Sequence, residues 1–178
     1  MSNEIAVLAG GCFWCLEPVF SQLKGVNAVV SGYIGGHVDQ PNYKQVCTGE
    51  TGHAEAIQIS FDPQQISYAA LLEIFFLSHD PTTPNRQGND VGTQYRSAVF
   101  YQDEAQKDTV NALLDNYRRE NTFGAAPVTQ VLAAVEFFPA EDYHQQYFAK
   151  NPGQPYCLAV AAPKVAKIQA KYAALIKP

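Results

Sequence analysis

Two thiols three residues apart, Cys12 and Cys15, stand in the segment Gly10-Gly11-Cys12-Phe13-Trp14-Cys15. Leu16, Val19, Phe20 and Leu23 follow at three- and four-residue steps, which predicts a helix ending at Gly25, with Pro18 in its first turn. A thiol is thereby placed at a strand-to-helix turn. Unpaired N–H groups and the dipole at a helix N-terminus stabilise an anion, so Cys12 is expected to have a lowered pKa and to act as a nucleophile. The bland reading makes both cysteines small buried hydrophobes. Phe13 and the only tryptophan, Trp14, pack in the core or form an apolar wall for a substrate.

A nucleophile needs a proton donor or base nearby. Glu55 lies in Gly52-His53-Ala54-Glu55-Ala56 and shares parity with Ile57, Ile59 and Phe61 of an alternating strand. If that parity faces inward, Glu55 is buried, and burial lets a carboxyl stay protonated as a general acid. An ordinary surface glutamate is the other reading. His53 is an alternative base or a structural loop histidine. Asp90 and Tyr95, in Asn89-Asp90-Val91-Gly92-Thr93-Gln94-Tyr95-Arg96, line a site or simply serve a turn.

The elements that must position these residues follow from pattern and punctuation. Ile5–Leu8, Val26–Ile34, Ile57–Phe61, Ser97–Tyr101 and a segment within Val128–Phe138 read as strands. A helix capped by Ser67 carries Leu71, Leu72, Phe75 and Phe76. Others run from Asp103 to Glu120, from Ala140 to Ala149 and from Pro163 to Ile176. Residues 37–53 read as loop. The stretch 80–94 is long, polar and rich in breakers, the signature of a functional or disordered loop. The irregular alternation favours an α+β layered sandwich over a doubly wound sheet, and no phosphate-binding glycine motif is present.

Composition narrows the function. The chain of 178 residues is expected to form one catalytic domain over 1–178. With 47% hydrophobic and 16% charged residues it is not a disordered chain. Its net charge of −5 gives no basic footprint for nucleic acid. No signal peptide or membrane span is read, so the expected compartment is the cytosol, where lasting disulfides are rare. Four cysteines, at positions 12, 15, 47 and 157, provide one close pair only. That disfavours a structural zinc site and favours redox or nucleophilic thiol chemistry. Met1 is the only methionine.

Five segments together resemble one family, the A-type peptide methionine sulfoxide reductases. They are Gly11-Cys12-Phe13-Trp14; Ser31-Gly32-Tyr33-Ile34-Gly35-Gly36; Asn42-Tyr43 with Val46-Cys47-Thr48-Gly49 and Thr51-Gly52-His53-Ala54-Glu55; His79-Asp80-Pro81-Thr82 through Gly92-Thr93-Gln94-Tyr95-Arg96-Ser97; and Ala140-Glu141-Asp142-Tyr143-His144-Gln145. The resemblance implies a two-layer α+β sandwich with a ferredoxin-like core and long active-site loops. It implies that Cys12 attacks the sulfur of a methionine S-sulfoxide, free or in proteins. Glu55 would donate a proton to the sulfoxide oxygen, with Tyr43 and Tyr95 hydrogen-bonding it. Phe13 and Trp14 would hold the methyl on sulfur, and Asp90 would support the site. His53 receives no chemical step.

Attack would leave Cys12 as a sulfenic acid, which condenses with a second thiol; a thioredoxin-type reductant would restore the pair. Cys15 stands where many relatives have glycine, and Cys157 stands where others place a resolving cysteine. Either could resolve Cys12, or the two could act as a relay; Cys47 reads as buried packing. The reading calls for no cofactor, metal, nucleic acid or membrane, and for a monomer. Alternatives from other classes are a protein disulfide oxidoreductase using Cys12-x-x-Cys15 and a non-catalytic thiol or metal-binding domain.

Overall fold

The computed structural model describes residues 2–178. Ile5 to Ala9 form an unbroken apolar run because their strand, β1 (Glu4–Gly10), is central and covered on both faces. Ala6 and Leu8 point into the main core, Val7 and Ala9 into a smaller one on the opposite face. After β1 come α1 (Phe13–Ser21), β2 (Val26–Ile34), the short α2 (Tyr43–Cys47), β3 (Ala54–Phe61) and α3 (Tyr68–Ser78). A two-residue hairpin of β4 (Arg86–Gln87) and β5 (Asp90–Val91) precedes a 3-10 turn at Thr93–Tyr95 and then β6 (Ser97–Tyr101). β1 pairs antiparallel with β3 and β6, and β3 pairs antiparallel with β2. The path β1-α1-β2-β3-α3-β6 with spatial order β6-β1-β3-β2 is the ferredoxin-like arrangement. The molecule is thus an α+β sandwich with helices on one face of the sheet.

α3 is buried nearly all round, with Leu71, Leu72, Ile74, Phe75 and Phe76 inaccessible. Ser67 caps it by accepting from the Ala70 N–H. α4 (Glu104–Glu120) is amphipathic, capped by Asp103, and lays Val110 and Leu114 on the same core.

Several expectations are revised. Val128–Phe138 carries two strands rather than one. β7 (Gln130–Ala133) adds parallel to β6, and β8 (Phe137–Pro139) adds antiparallel to β2, at the opposite edge of the six-stranded sheet. The chain between them crosses the second face, and Ala134 and Phe137 pack into the smaller core there. α1 ends at Ser21, and Pro18 lies inside it rather than in the first turn. Burial of Leu16, Val19 and Phe20 holds the helix despite the missing donor. The segment 140–149 is a 3-10 turn at Asp142–His144 followed by the single turn α5 (Tyr147–Lys150). A π-turn at Cys157–Ala161 precedes α6 (Ala162–Lys171). Among the described residues, no helix is long and apolar enough to cross a membrane.

Candidate active site

The turn from β1 into α1 fixes the first thiol. A Cβ on Gly10 would lie 2.8 Å from a ring carbon of Phe75 and 3.0 Å from the His79 ring. Gly11 adopts φ +95°, a region that favours glycine. The chain can therefore pass close over α3 and turn sharply, leaving Cys12 as the extended N-cap residue of α1. Cys12 remains partly accessible, whereas Cys15 and Phe13 are buried.

β3 delivers Glu55 to the same place. Glu55 faces the helix layer with Ile57, Ile59 and Phe61, is 1% exposed, and stands directly across from Tyr33 of β2. Its Oε1 accepts from the backbone N–H of Phe13 at 3.1 Å. Burial raises the carboxyl to about 8, with Asp90 and Cys15 pushing the same way against the Phe13 hydrogen bond. At neutral pH Glu55 is therefore mostly protonated.

Cys12 and Cys15 lie one turn apart at the start of α1, the Cys15 N–H donating to the Cys12 carbonyl at 3.1 Å, and each thiol shifts the other's ionisation. The Cys12 thiol is raised by the neighbouring Cys15 thiol, by burial and by the nearby Glu55 carboxyl. Cys15 is lowered by the neighbouring Cys12 thiol, helped by Lys164 and Tyr156 against burial and Asp90. The expected lowered Cys12 pKa is thus corrected. The helix start is present, but the thiol faces a carboxyl and a second sulfur in a desolvated turn, and these raise it.

An aromatic cluster builds on Phe13 and Trp14, the two residues after Cys12. Trp14 stacks on Tyr147 with centroids 3.8 Å apart, and its indole N–H donates to His144 Nδ1 at 2.9 Å. Burial holds His144 below its ordinary value, keeping it neutral to accept that bond. The His144 ring also contacts Tyr43 and Phe13, at 4.4 and 5.1 Å. Glu141 takes the Tyr33 hydroxyl and the Tyr43 backbone N–H, each at 2.9 Å, on separate oxygens. Gln145 anchors this segment by accepting from the Ser31 N–H and donating to the Ser31 carbonyl, both at 2.9 Å. The Tyr95 hydroxyl is raised by burial and by the charges of Glu55, Asp90 and Cys12, the groups around it. Tyr43 is raised by burial and by Cys47 and Glu55.

The accessible opening at Cys12 is a cleft of about 350 Å³ walled by the β4–β5 hairpin, Tyr156, Val160 and Lys164. Asp90 enters it from the hairpin and accepts from the Tyr156 hydroxyl at 2.6 Å. A larger groove of about 570 Å³ lies beyond Gln87 and Lys164, over Phe76 and Phe123, and contains neither Cys12 nor Glu55.

The family model for peptide methionine sulfoxide reductase matches residues 4–175. The chain belongs to that family. A "Peptide methionine sulfoxide reductase MsrA" of Chromobacterium violaceum is 56% identical over 98% of this chain and 99% of its own. The protein of the same name in Deinococcus radiodurans is 54% identical over 96% and 83%. Among solved structures, reduced Mxr1 from Saccharomyces cerevisiae superposes with a TM-score of 0.82 at 34% identity, covering 88% of this chain and 90% of that one.

In this reductase fold the sequence-predicted residues Cys12, Cys15, Glu55, Tyr43, Tyr95, Asp90, Phe13 and Trp14 converge. Cys157 is inaccessible on the π-turn, where burial and then the neighbouring Cys15 raise it. Cys47 is exposed, which corrects its assignment to packing: it ends α2 facing outward, and Val46 supplies the buried contact. His53 is spent on the loop. Its Nδ1 accepts from the Gly36 N–H at 3.0 Å and its Nε2 donates to the Val38 carbonyl at 2.7 Å, leaving no nitrogen to act as a base.

The site also contains residues given no individual role from the sequence: Tyr33, Glu141, His144, Tyr147, Tyr156 and Lys164. Tyr33, Glu141 and His144 fall within the family-like segments, and Tyr156 directly precedes Cys157. Tyr147 and Lys164 carry no comparable signal.

Proposed function

We propose that the chain, acting as one catalytic unit, reduces methionine S-sulfoxide, free or within proteins, to methionine, and so repairs oxidised proteins. The observation that carries this reading is Glu55: a buried carboxyl protonated at neutral pH, held by the N–H of the residue that follows Cys12. A sulfoxide sulfur becomes electrophilic only when its oxygen is protonated or strongly hydrogen-bonded, so acid and nucleophile must converge.

Trp14, partly exposed and backed by the buried Phe13, forms the apolar wall for the methyl on sulfur, and Tyr43 and Tyr95 donate to the oxygen. Both phenols are pushed up, so they keep their protons. Cys12 passes its proton to the neighbouring Cys15 as its sulfur bonds to the sulfoxide sulfur. Glu55 protonates the oxygen, which passes to the Cys12 sulfur as its bond to the methionine sulfur and the new S–S bond both break; methionine leaves, and Cys12 is left as a sulfenic acid.

Cys15 then forms a disulfide with Cys12 and expels water. Its place one helical turn from Cys12, with its N–H on the Cys12 carbonyl at 3.1 Å, supports this order, as does the position of Cys157 as the next sulfur. Cys157 exchanges with that disulfide in turn, and a thioredoxin-type dithiol returns the enzyme to its reduced state.

The test is single-turnover methionine release from methionine S-sulfoxide beside insulin disulfide reduction. Cys12→Ser should abolish release. Glu55→Gln should slow release strongly while sparing any dithiol activity. Unchanged release in Glu55→Gln would exclude this mechanism and favour a protein disulfide oxidoreductase.

A further inference from the structure

Cys15 has a partner on each of two sides. Toward the cleft it meets the Cys12 thiol. On its other side its Sγ donates to the Tyr156 hydroxyl oxygen at 3.6 Å, and that hydroxyl donates to Asp90 Oδ2 at 2.6 Å. The three groups come from α1, the segment entering the π-turn, and the β4–β5 hairpin. The tyrosine is held edge-on against Trp14 at 6.1 Å, so its hydroxyl is aimed rather than free. Asp90 faces the cleft that also opens onto Cys12.

A resolving thiol must lose its proton as it attacks a sulfenic acid. Cys15 is buried, so solvent does not reach its proton directly. We propose that Tyr156 and Asp90 are the proton exit of the resolving thiol, Tyr156 as a catalytic residue touching the reacting sulfur and Asp90 as the acceptor behind it.

The step balances without any further reagent. The Cys15 sulfur bonds to the Cys12 sulfur, and the sulfenic S–O bond breaks. The Cys15 proton moves to the Tyr156 oxygen while the Tyr156 hydroxyl proton moves to Asp90. Asp90 hands a proton to the departing oxygen in the cleft, which leaves as water. The sulfenic acid is the oxidant and is reduced; the Cys15 thiol is oxidised. Other groups facing Cys15 are Glu55 from β3, Lys164 from α6 and Cys157 from the π-turn. Lys164 favours the thiolate that forms, while Glu55 and Cys157, when charged, oppose it. None of these three hydrogen-bonds the sulfur, which Tyr156 does.

This proposal rests on the assignment of Cys12 as nucleophile and Cys15 as resolver, and the experiment separates the two. Reduced full-length enzyme is mixed with one equivalent of methionine S-sulfoxide and no reductant. Methionine release is followed by chromatography, and disulfide formation by acid quench, alkylation and mass spectrometry. Tyr156→Phe is expected to lower the ratio of disulfide formation to methionine release about a hundredfold, the usual scale of a lost proton-transfer group. It should also give the second step a new dependence on pH, rising as hydroxide replaces the tyrosine. Asp90→Asn should show the same rising dependence without altering the tyrosine.

A purely packing role for Tyr156 would change both rates together and leave the ratio and pH profile as in the wild type; that result overturns the relay. In a Cys15→Ser background, Tyr156→Phe should not change the lifetime of the Cys12 sulfenic acid, and a changed lifetime also counts against it. Methionine release surviving in Cys12→Ser would instead overturn the underlying assignment, and the relay with it.

Discussion

Glu55 accepts a hydrogen bond from the backbone N–H of Phe13 at 3.1 Å, so one peptide link separates the buried acid's anchor from the Cys12 thiol. The two groups are 43 residues apart in sequence and come from different layers of the sandwich. The bond fixes the carboxyl at the mouth of α1, and burial keeps it protonated to about pH 8.

That arrangement opposes stability at high pH. Glu55 holds a proton in the folded state that the unfolded chain releases above its ordinary carboxyl range, so stability falls as pH rises from about 4.5 to about 8. Glu55→Gln removes the titration. Urea denaturation at pH 5 and pH 8 should show a wild-type loss of about 3 kcal/mol that the variant lacks. Equal losses in the two proteins would contradict the buried acid.

The same proton sets the pH limit of catalysis. Single-turnover methionine release should decline above about pH 8 in the wild type as the acid form of Glu55 is lost. In Glu55→Gln the rate should be lower by about 10²- to 10⁴-fold and should no longer carry that limb. Stopped-flow quench across pH 6 to 10 tests both features.

Glu141 is a clasp between Tyr33 and Tyr43. Burial pushes its carboxyl up, but the Tyr43 N–H and Tyr33 hydroxyl outweigh this and hold it below its ordinary value. Glu141→Ala leaves two donors without their acceptor and should cost about 1–3 kcal/mol at pH 7. Because the folded value is depressed, the difference from wild type should be complete above the usual carboxylate range and shrink as pH falls through it. Thermal denaturation at pH 7 and pH 3.5 checks the sign.

His144 orients Trp14 by accepting its indole N–H. His144→Ala should raise KM for the sulfoxide about tenfold, in line with a lost part-buried hydrogen bond of about 1–2 kcal/mol, with a smaller change in kcat. Trp14 is the sole tryptophan, so a shifted emission maximum would report its movement. A normal KM with an unchanged spectrum would show that the Tyr147 stack alone holds the indole.

The two outer cysteines should separate by burial. Cys47→Ala, at an exposed position, should change stability by less than about 0.5 kcal/mol. Cys157→Ala, at an inaccessible one, should cost about 1 kcal/mol or more. Denaturation midpoints decide between this and the packing role read for Cys47 from sequence.

Much of the fold was legible because local chemistry announced it. Ser67 and Asp103 cap their helices, and the parity of Ile57, Ile59 and Phe61 correctly turned Glu55 inward. What escaped depends on distant partners. Nothing local in Val128–Phe138 says that Gln130–Ala133 will meet β6 while Phe137–Pro139 crosses to β2. The helix start at Cys12 was visible, but not the desolvation and the Glu55 carboxyl that raise its thiol. Tyr156 reads as an ordinary aromatic until the C-terminal segment folds back over α1 and brings its hydroxyl between Cys15 and Asp90.

The pairing of Cys12 with Cys15 is the centre of the account, and disulfide mapping tests it most directly. Fully reduced enzyme is given one equivalent of methionine S-sulfoxide without reductant, quenched in acid at early times, alkylated, digested and analysed by mass spectrometry. The first disulfide to form should join Cys12 to Cys15, with Cys47 alkylated throughout and Cys157 entering a disulfide only later. A first bond from Cys12 directly to Cys157, with Cys15 alkylated, would contradict it.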